Sequence, residues 1–294
     1  MDYEAKPGMF KDLTKVEFTN LEKILYPELR ITKAQVIEYY VRMAPKMLEL
    51  LVNRPLVMTR FPDGIDKEGF YEKDAPVGTP SWVETFRRFA ETSQREISYV
   101  VCNNLDTLVW LANLAALEIH MTLSRTDLFE NPDLVLFDVD PKPPSGFGEA
   151  ATVALLLKQK LDALGLRSYV KTSSKNGLHV VVPIVEEYRF EQTREFVHRV
   201  AQGLRKESEI VVSEFAMAKK LGAVLIDYRQ NSQGRTMICP YSLRATAKAT
   251  VSMPLSWDDV KKRIKPGEFT LHTAVTIENK PWKGLLTDRQ KLEA

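Results

Sequence analysis

The chain has 294 residues, 44% hydrophobic and 27% charged, the balance of a folded protein with a sizeable core and not of a disordered one. No apolar run is long enough to span a bilayer, and the opening MDYEAKPGMFKD carries no hydrophobic signal region. The net charge of +2 hides a segregation: residues 61–150 carry 7 basic and 16 acidic side chains and residues 151–294 carry 24 and 15, which suits cations in the middle and a polyanion behind. On charge alone, both also read as solvated faces. Cys102 and Cys239 are far apart and the four histidines are scattered, so neither a disulfide framework nor a zinc site is indicated. A reducing cytoplasm is the expected compartment.

Thr32-Lys33-Ala34-Gln35 has capping-box spacing, and apolar residues from Val36 to Leu51 follow at helical intervals, which predicts a helix to about Leu51 with Pro45 inside it. Residues 56–60, a Pro62-Asp63-Gly64 turn and Phe70-Tyr71 read as a hairpin. Asn104 is placed to cap a second helix over roughly 105–121. From 134 to 227 the pattern alternates: strand 134–139, helix 149–164 closed by Gly165, strands 168–171 and 178–184, helix 190–206, strands 210–215 and 223–226. That order is the split βαβ, ferredoxin-like arrangement. The expectation is one α/β (α+β) domain over 1–294: a mostly helical part over 1–125, then a mixed-sheet catalytic part over 126–294.

Asp138 and Asp140 flank Val139 at the end of an apolar strand, so strand alternation turns both carboxylates to one side, with Cα atoms roughly 6.5–7 Å apart. Asp227 ends Val224-Leu225-Ile226 in the same way. Three converging aspartates suit a two-metal site for phosphoryl transfer, and hard oxygen ligands select Mg²⁺ or Mn²⁺. An Asp-x-Asp pair alone also fits an ordinary strand-end turn, a glycosyltransferase or a haloacid-type phosphatase. The polar turn from Thr172 to Gly177, with Ser173 and Lys175, can offer amides and a cation to a triphosphate, or be a plain β-turn. His179 and Arg244 stand at the loop-side end of a strand and shortly after the third aspartate.

In order along the chain, NLEKILYP, ITKAQVIEYY, RFPDGIDKEGFYEK, LAALEIH, LVLFDVDP, TSSKNGLHVVVP, LIDYRQN and PYSLR resemble the polymerase domain of bacterial ligase D, the end-joining branch of the archaeo-eukaryotic primase superfamily. The resemblance covers about residues 20–245. It implies a primase-like core and template-directed nucleotidyl transfer with Asp138, Asp140 and Asp227 as the metal triad. It further implies that His120 contacts the ribose and that Ser173, Lys175, His179 and Arg244 hold the triphosphate. Lys220 would stand in for an arginine that the family places before its third aspartate. Lys23 and Lys33 match the positions that bind a downstream 5′-phosphate on gapped DNA, and Phe70 and Tyr71 match an aromatic pair that packs on template bases. In the turn, the family's usual Ser-Gly-x-Lys-Gly-Leu-His is replaced by a sequence with Lys175 one position earlier and Asn176 before Gly177.

The resulting expectation is a two-metal polymerase, using Mn²⁺ or Mg²⁺ and nucleoside triphosphates, that fills gaps and joins broken double-stranded DNA bearing 5′-phosphates. Ribonucleotides are the preferred substrate. A separate ATP- or NAD-dependent ligase and a Ku-like end-binding protein are the expected partners, at the nucleoid and with no membrane. Lys33 is the first helical residue after the Thr32 cap, so its backbone N–H is expected to be free for an anion. The alternatives are a primase that starts chains de novo, an inactive nucleic-acid-binding module and a two-metal nuclease.

Overall fold

The computed structural model describes residues 13, 15–90, 94–173, 176–278 and 281–292. A two-stranded ribbon, β1 (Ile24–Tyr26) with β2 (Ile31–Thr32), leads directly into α1 (Lys33–Leu51). Thr32 caps that helix: its hydroxyl accepts from the Gln35 amide, and the Gln35 side chain accepts from the Thr32 amide. Pro45 lies inside the helix without ending it. The next elements are β3 (Pro55–Arg60), β4 (Phe70–Glu72), β5 (Thr85–Ala90), β6 (Arg95–Val101), α2 (Leu105–Asn113) and β7 (Ala116–Thr122).

The second half runs β8 (Leu134–Pro141), α3 (Phe147–Ala163), β9 (Tyr169–Thr172), β10 (Leu178–Pro183), α4 (Phe190–Glu207), β11 (Val211–Val212), β12 (Val224–Ile226), β13 (Thr236–Ile238) and β14 (Pro254–Leu255). Gly165, at φ +71°, ends α3: the Leu166 amide reaches Leu161 O and the Gly165 amide reaches Asp162 O, which satisfies carbonyls the helix leaves open. One sheet has the order β11-β12-β8-β10-β9-β14. Its central four strands, β12-β8-β10-β9, are antiparallel throughout and reproduce the split βαβ arrangement. Phe137 on β8 meets Phe196 on α4, so odd-numbered residues of β8 face the helices and Leu136, Asp138 and Asp140 face the other way.

The mixed α/β class holds, but the part over 1–125 is not mostly helical. A second sheet, β13-β7-β3-β6-β5 with β4 on β3, occupies much of it, and β13 joins it from the far half of the chain. The expected helix 105–121 stops at Asn113, where Ala115 adopts φ +57° and its amide bonds back to Ala112 O. The rest is β7, between β3 and β13. Leu117, Ile119 and Met121 are fully buried, whereas Glu118 and His120 are only half-buried. Inter-strand pairing and burial override a helix-rich composition there. The expected strand 210–215 is limited to Val211–Val212, and a short 3-10 turn over Phe215–Lys219 follows.

A buried ion pair ties the two sheets. Arg54 is 1% exposed; its Nη1 and Nη2 donate to the two carboxylate oxygens of Asp133 at 2.7 and 2.6 Å, and its Nε donates to Leu50 O at the end of α1. Arg125 Nε also donates to Asp133 Oδ2, at 3.1 Å. Removing one partner leaves buried charge uncompensated, so Asp133→Ala should cost about 3–5 kcal/mol of unfolding free energy in a urea titration. A loss near zero would show that the pair does not hold the sheets together.

Candidate nucleotidyl-transfer site

Register brings the chemistry into a row across the first sheet. His179 on β10 pairs with Asp138 on β8, and Lys171 on β9 pairs with His179. On the other side, the Asp227 amide donates to Asp138 O at 3.0 Å. Asp227, Asp138, His179 and Lys171 therefore lie side by side on the face away from α3 and α4, with Asp140 two residues along β8. His179 Nε2 is 3.3 Å from Asp138 Oδ1. Burial pushes the Asp138 carboxyl up, but the His179 ring and the nearby Lys171 and Lys142 outweigh it and leave the group below its ordinary range. Burial and Lys171 push the His179 imidazole down to about 4 against the pull of Asp138.

Among the described residues, no three His, Cys, Asp or Glu side chains stand as a ready metal cage. Lys142 Nζ holds Asp140 in a short ion pair, and Arg229 donates to Asp227 through its backbone amide at 3.1 Å and its Nε at 3.0 Å. Two of the three carboxylates thus have a cation of the chain beside them. The donor set fits hard divalent ions: carboxylate oxygens from adjacent strands on one face, whose mutual repulsion requires positive charge between them.

Beside this row is a pocket of about 250 Å³ walled by both sheets. Asp138, Asp140 and His179 line it from the first sheet, and Ser173 from the turn. His120 on β7, Thr236 and Ile238 on β13, then Arg244, line it from the second. Gln230, in the 3-10 turn after Asp227, completes the wall. Buried side-chain nitrogens without a hydrogen bond include His120 Nε2, His179 Nδ1 and Arg244 Nε, all on pocket residues. His120 Nε2 and Arg244 Nε face Glu118 at 3.5 and 3.3 Å, which leaves His179 Nδ1 as the one of the three with no acceptor beside it. Native proteins rarely leave such an atom unpaired, so it favours a polar ligand at the pocket. Gly177 shapes the turn: a Cβ there would meet Ser173 Oγ at 2.6 Å and Val139 O at 2.9 Å. That space is needed for β10 to run beside β8.

The remaining expected residues divide. Phe70 and Tyr71 on β4 are each 56% exposed, so neither is buried in the core, and Tyr71 meets the His120 ring edge-on at 6.1 Å. Lys220 does not reach the pocket; its Nζ donates to Glu209 O at 3.0 Å. Lys175 lies outside the described residues. The sequence reading missed Gln230, Thr236 and Ile238. It also missed Glu118, beside both His120 and Arg244, and Lys171, fully buried with its Nζ on Ser252 Oγ at 2.7 Å. The period-two alternation of 116–122 was the available signal for Glu118.

Lys23 and Lys33 do converge, but not around a free helix terminus. The Lys33 amide donates to Lys23 O at 2.8 Å, the Ala34 amide to Leu21 O at 2.9 Å and the Gln35 amide to Thr32 Oγ1. The expectation of a free amide at Lys33 is therefore incorrect: the β1–β2 ribbon folds back and uses these donors. The ammonium groups remain. Lys33 Nζ donates to Thr19 Oγ1 and Asn113 O, both uncharged, while Lys23 Nζ pairs with Asp63 at 2.6 Å. Burial and the neighbouring Lys23 lower the Lys33 pKa.

The family described as the LigD primase-polymerase domain matches residues 32–282. The bifunctional non-homologous end joining protein LigD of Bacillus subtilis (strain 168) is 32% identical over 263 residues, covering 89% of this chain and 42% of that protein. The multifunctional non-homologous end joining protein LigD of Mycolicibacterium smegmatis is 32% identical over 252 residues, 84% of this chain and 32% of that protein. The chain thus spans less than half the length of these relatives. Among solved structures, the polymerase domain of Mycobacterium tuberculosis ligase D in complex with DNA superposes with a TM-score of 0.82 at 27% identity, covering 89% of this chain and 93% of that one.

Proposed function

This chain belongs to the LigD primase-polymerase family, and from that premise we propose that it is a template-directed polymerase that adds nucleotides to a 3′ end in gap filling and non-homologous end joining. The observation that carries the reading is the meeting of the aspartate row with a pocket lined by His120, His179 and Arg244, in which His179 Nδ1 is left without a hydrogen bond. An acidic strand end supplies metal ligands, and a histidine- and arginine-lined wall supplies donors for a triphosphate and its sugar.

Asp138, Asp140 and Asp227 would hold two divalent ions, Mn²⁺ or Mg²⁺, that lower the cost of forming the attacking 3′-oxyanion and neutralise the leaving pyrophosphate. Ser173, His179 and Arg244 grip the phosphates, and the resemblance adds Lys175 as a further cation, whereas Lys220, held by Glu209 O, takes no part. His120 takes the sugar. The exposed Phe70 and Tyr71 give template bases a stacking surface. The substrate is gapped or broken double-stranded DNA with a 5′-phosphate. A separate ligase would seal the product and a Ku-like protein would bring the ends, in the cytoplasm at the nucleoid; no helix among the described residues is long and apolar enough to cross a membrane.

The deciding assay is primer extension on 5′-phosphorylated gapped DNA, comparing Mn²⁺ with Mg²⁺ and ribo- with deoxynucleotides. Metal-dependent lengthening of the primer is expected. Shortening would indicate a nuclease, binding without metal or triphosphate a non-catalytic module, and synthesis on a primer-free template a primase. Sugar choice gives a second expected result. A hydrogen bond to the 2′-hydroxyl is worth about 1 kcal/mol net, so His120→Ala should lower ribonucleotide incorporation several-fold more than deoxynucleotide incorporation. Equal losses would make His120 part of the scaffold.

A further inference from the structure

We propose that Glu118 and His120 form a sugar-selecting dyad in which the carboxylate holds the imidazole proton on Nε2 and leaves Nδ1 to accept a hydrogen bond from the 2′-hydroxyl of an incoming ribonucleotide. The inference rests on the polymerase reading and deepens it: it fixes the polarity of the selecting bond and adds a positioning residue.

Both side chains leave the same face of β7, two residues apart. Glu118 Oε2 lies 3.5 Å from His120 Nε2. Its other oxygen, Oε1, accepts from the Ala245 amide at 3.0 Å and lies 3.3 Å from Arg244 Nε. The segment that carries the phosphate-side arginine thus anchors one oxygen, and the second is presented to the histidine. An ionised carboxylate only accepts, so it favours the tautomer with N–H on the nitrogen facing it. At 3.5 Å the contact is long, and such contacts tighten when substrate closes the site.

Burial, together with Arg244 and Lys171, opposes a charged ring more than Glu118 favours it, which lowers the imidazole pKa and favours the neutral form. A neutral ring protonated on Nε2 carries a lone pair on Nδ1. A ribose 2′-hydroxyl can donate to that lone pair, and the hydrogen of a deoxyribose cannot. Tyr71 lies edge-on to the ring, 6.1 Å between centroids.

The test is single-nucleotide extension with a ribonucleotide, its 2′-deoxy analogue and its 2′-deoxy-2′-fluoro analogue, whose fluorine cannot donate. The wild-type protein should use the ribonucleotide about fivefold better by kcat/KM, with the other two within about twofold of each other. A fluoro analogue used as well as the ribonucleotide would mean that His120 donates, and would overturn the proposal. Glu118→Gln and His120→Ala should each bring the ribo-to-deoxy ratio towards one, and the double variant should fall no further. A Glu118 with a merely structural role would lower both substrates alike and leave the ratio unchanged, which also overturns the dyad. The analogue arm needs no variant, so a misfolded Glu118→Gln does not rescue the idea. A wild type that extends with no nucleotide overturns the polymerase reading and the dyad together; one that extends but ignores the 2′ substituent overturns the dyad alone.

Discussion

Asp138→Ala and Asp140→Ala are each expected to lower primer extension by at least about a thousandfold, since metal ions supply several kcal/mol of transition-state charge stabilisation. Affinity for gapped DNA should stay close to wild type. The carboxylates repel phosphate unless cations stand between them, so their loss removes no DNA contact. A second measurement separates a metal role from a packing role. Mn²⁺ that binds the folded chain raises its melting temperature by mass action, and that rise should vanish in both variants. Asp227→Ala should behave in the same way, because its backbone bond to Asp138 places it in the same row. DNA binding lost in step with activity would show the aspartates to be structural and would sink the two-metal reading.

This site is legible in the sequence to an unequal degree, and the physics explains why. The shared face of Asp138 and Asp140 follows from strand alternation, a local property, whereas His179 and Ser173 were singled out by the resemblance and only the register sets His179 beside Asp138. The split βαβ order was readable because its helices are long, periodic and clearly terminated, Gly165 being the sharpest stop. The second sheet was not. β5 and β6 went unread, and β7 looked like the tail of a helix because Leu114-Ala115-Ala116-Leu117 contains no breaker. Its strand character is imposed by β3 on one side and β13 on the other, the latter more than a hundred residues away. Glu118 therefore escaped notice: its partners Arg244 and Ala245 are brought to it by tertiary pairing that no local window contains. The resemblance named His120 as a sugar contact, and the fold supplied the carboxylate behind it.

The end-joining part of the reading depends on a different region. On gapped DNA, the wild-type chain is expected to bind a 5′-phosphorylated gap about tenfold more tightly than the unphosphorylated one, the value of one charge-assisted hydrogen bond or slightly more. The Lys23→Ala, Lys33→Ala double variant should lose that preference. With the first amides of α1 committed to Leu21, Lys23 and Thr32, the side-chain ammonium groups must carry the phosphate. Their setting favours an anion. Lys33 is 4% exposed, its hydrogen-bond acceptors are neutral, and both burial and Lys23 work against its charge. A terminal phosphate, with about one more negative charge than an internal diester, relieves that strain and competes with Asp63 for Lys23. The preference should shrink as salt rises, because the Lys23 end of the site is open to solvent. Lys33→Ala also removes bonds to Thr19 and Asn113, so Lys23→Ala alone serves as the control that leaves the α1 anchor intact. It should lose part of the preference with no change in melting temperature beyond the small effect of an exposed ion pair. If the wild-type chain binds both gaps equally, the two lysines are a packing feature of the β1–β2 ribbon, and the protein extends primers without reading the far side of the gap.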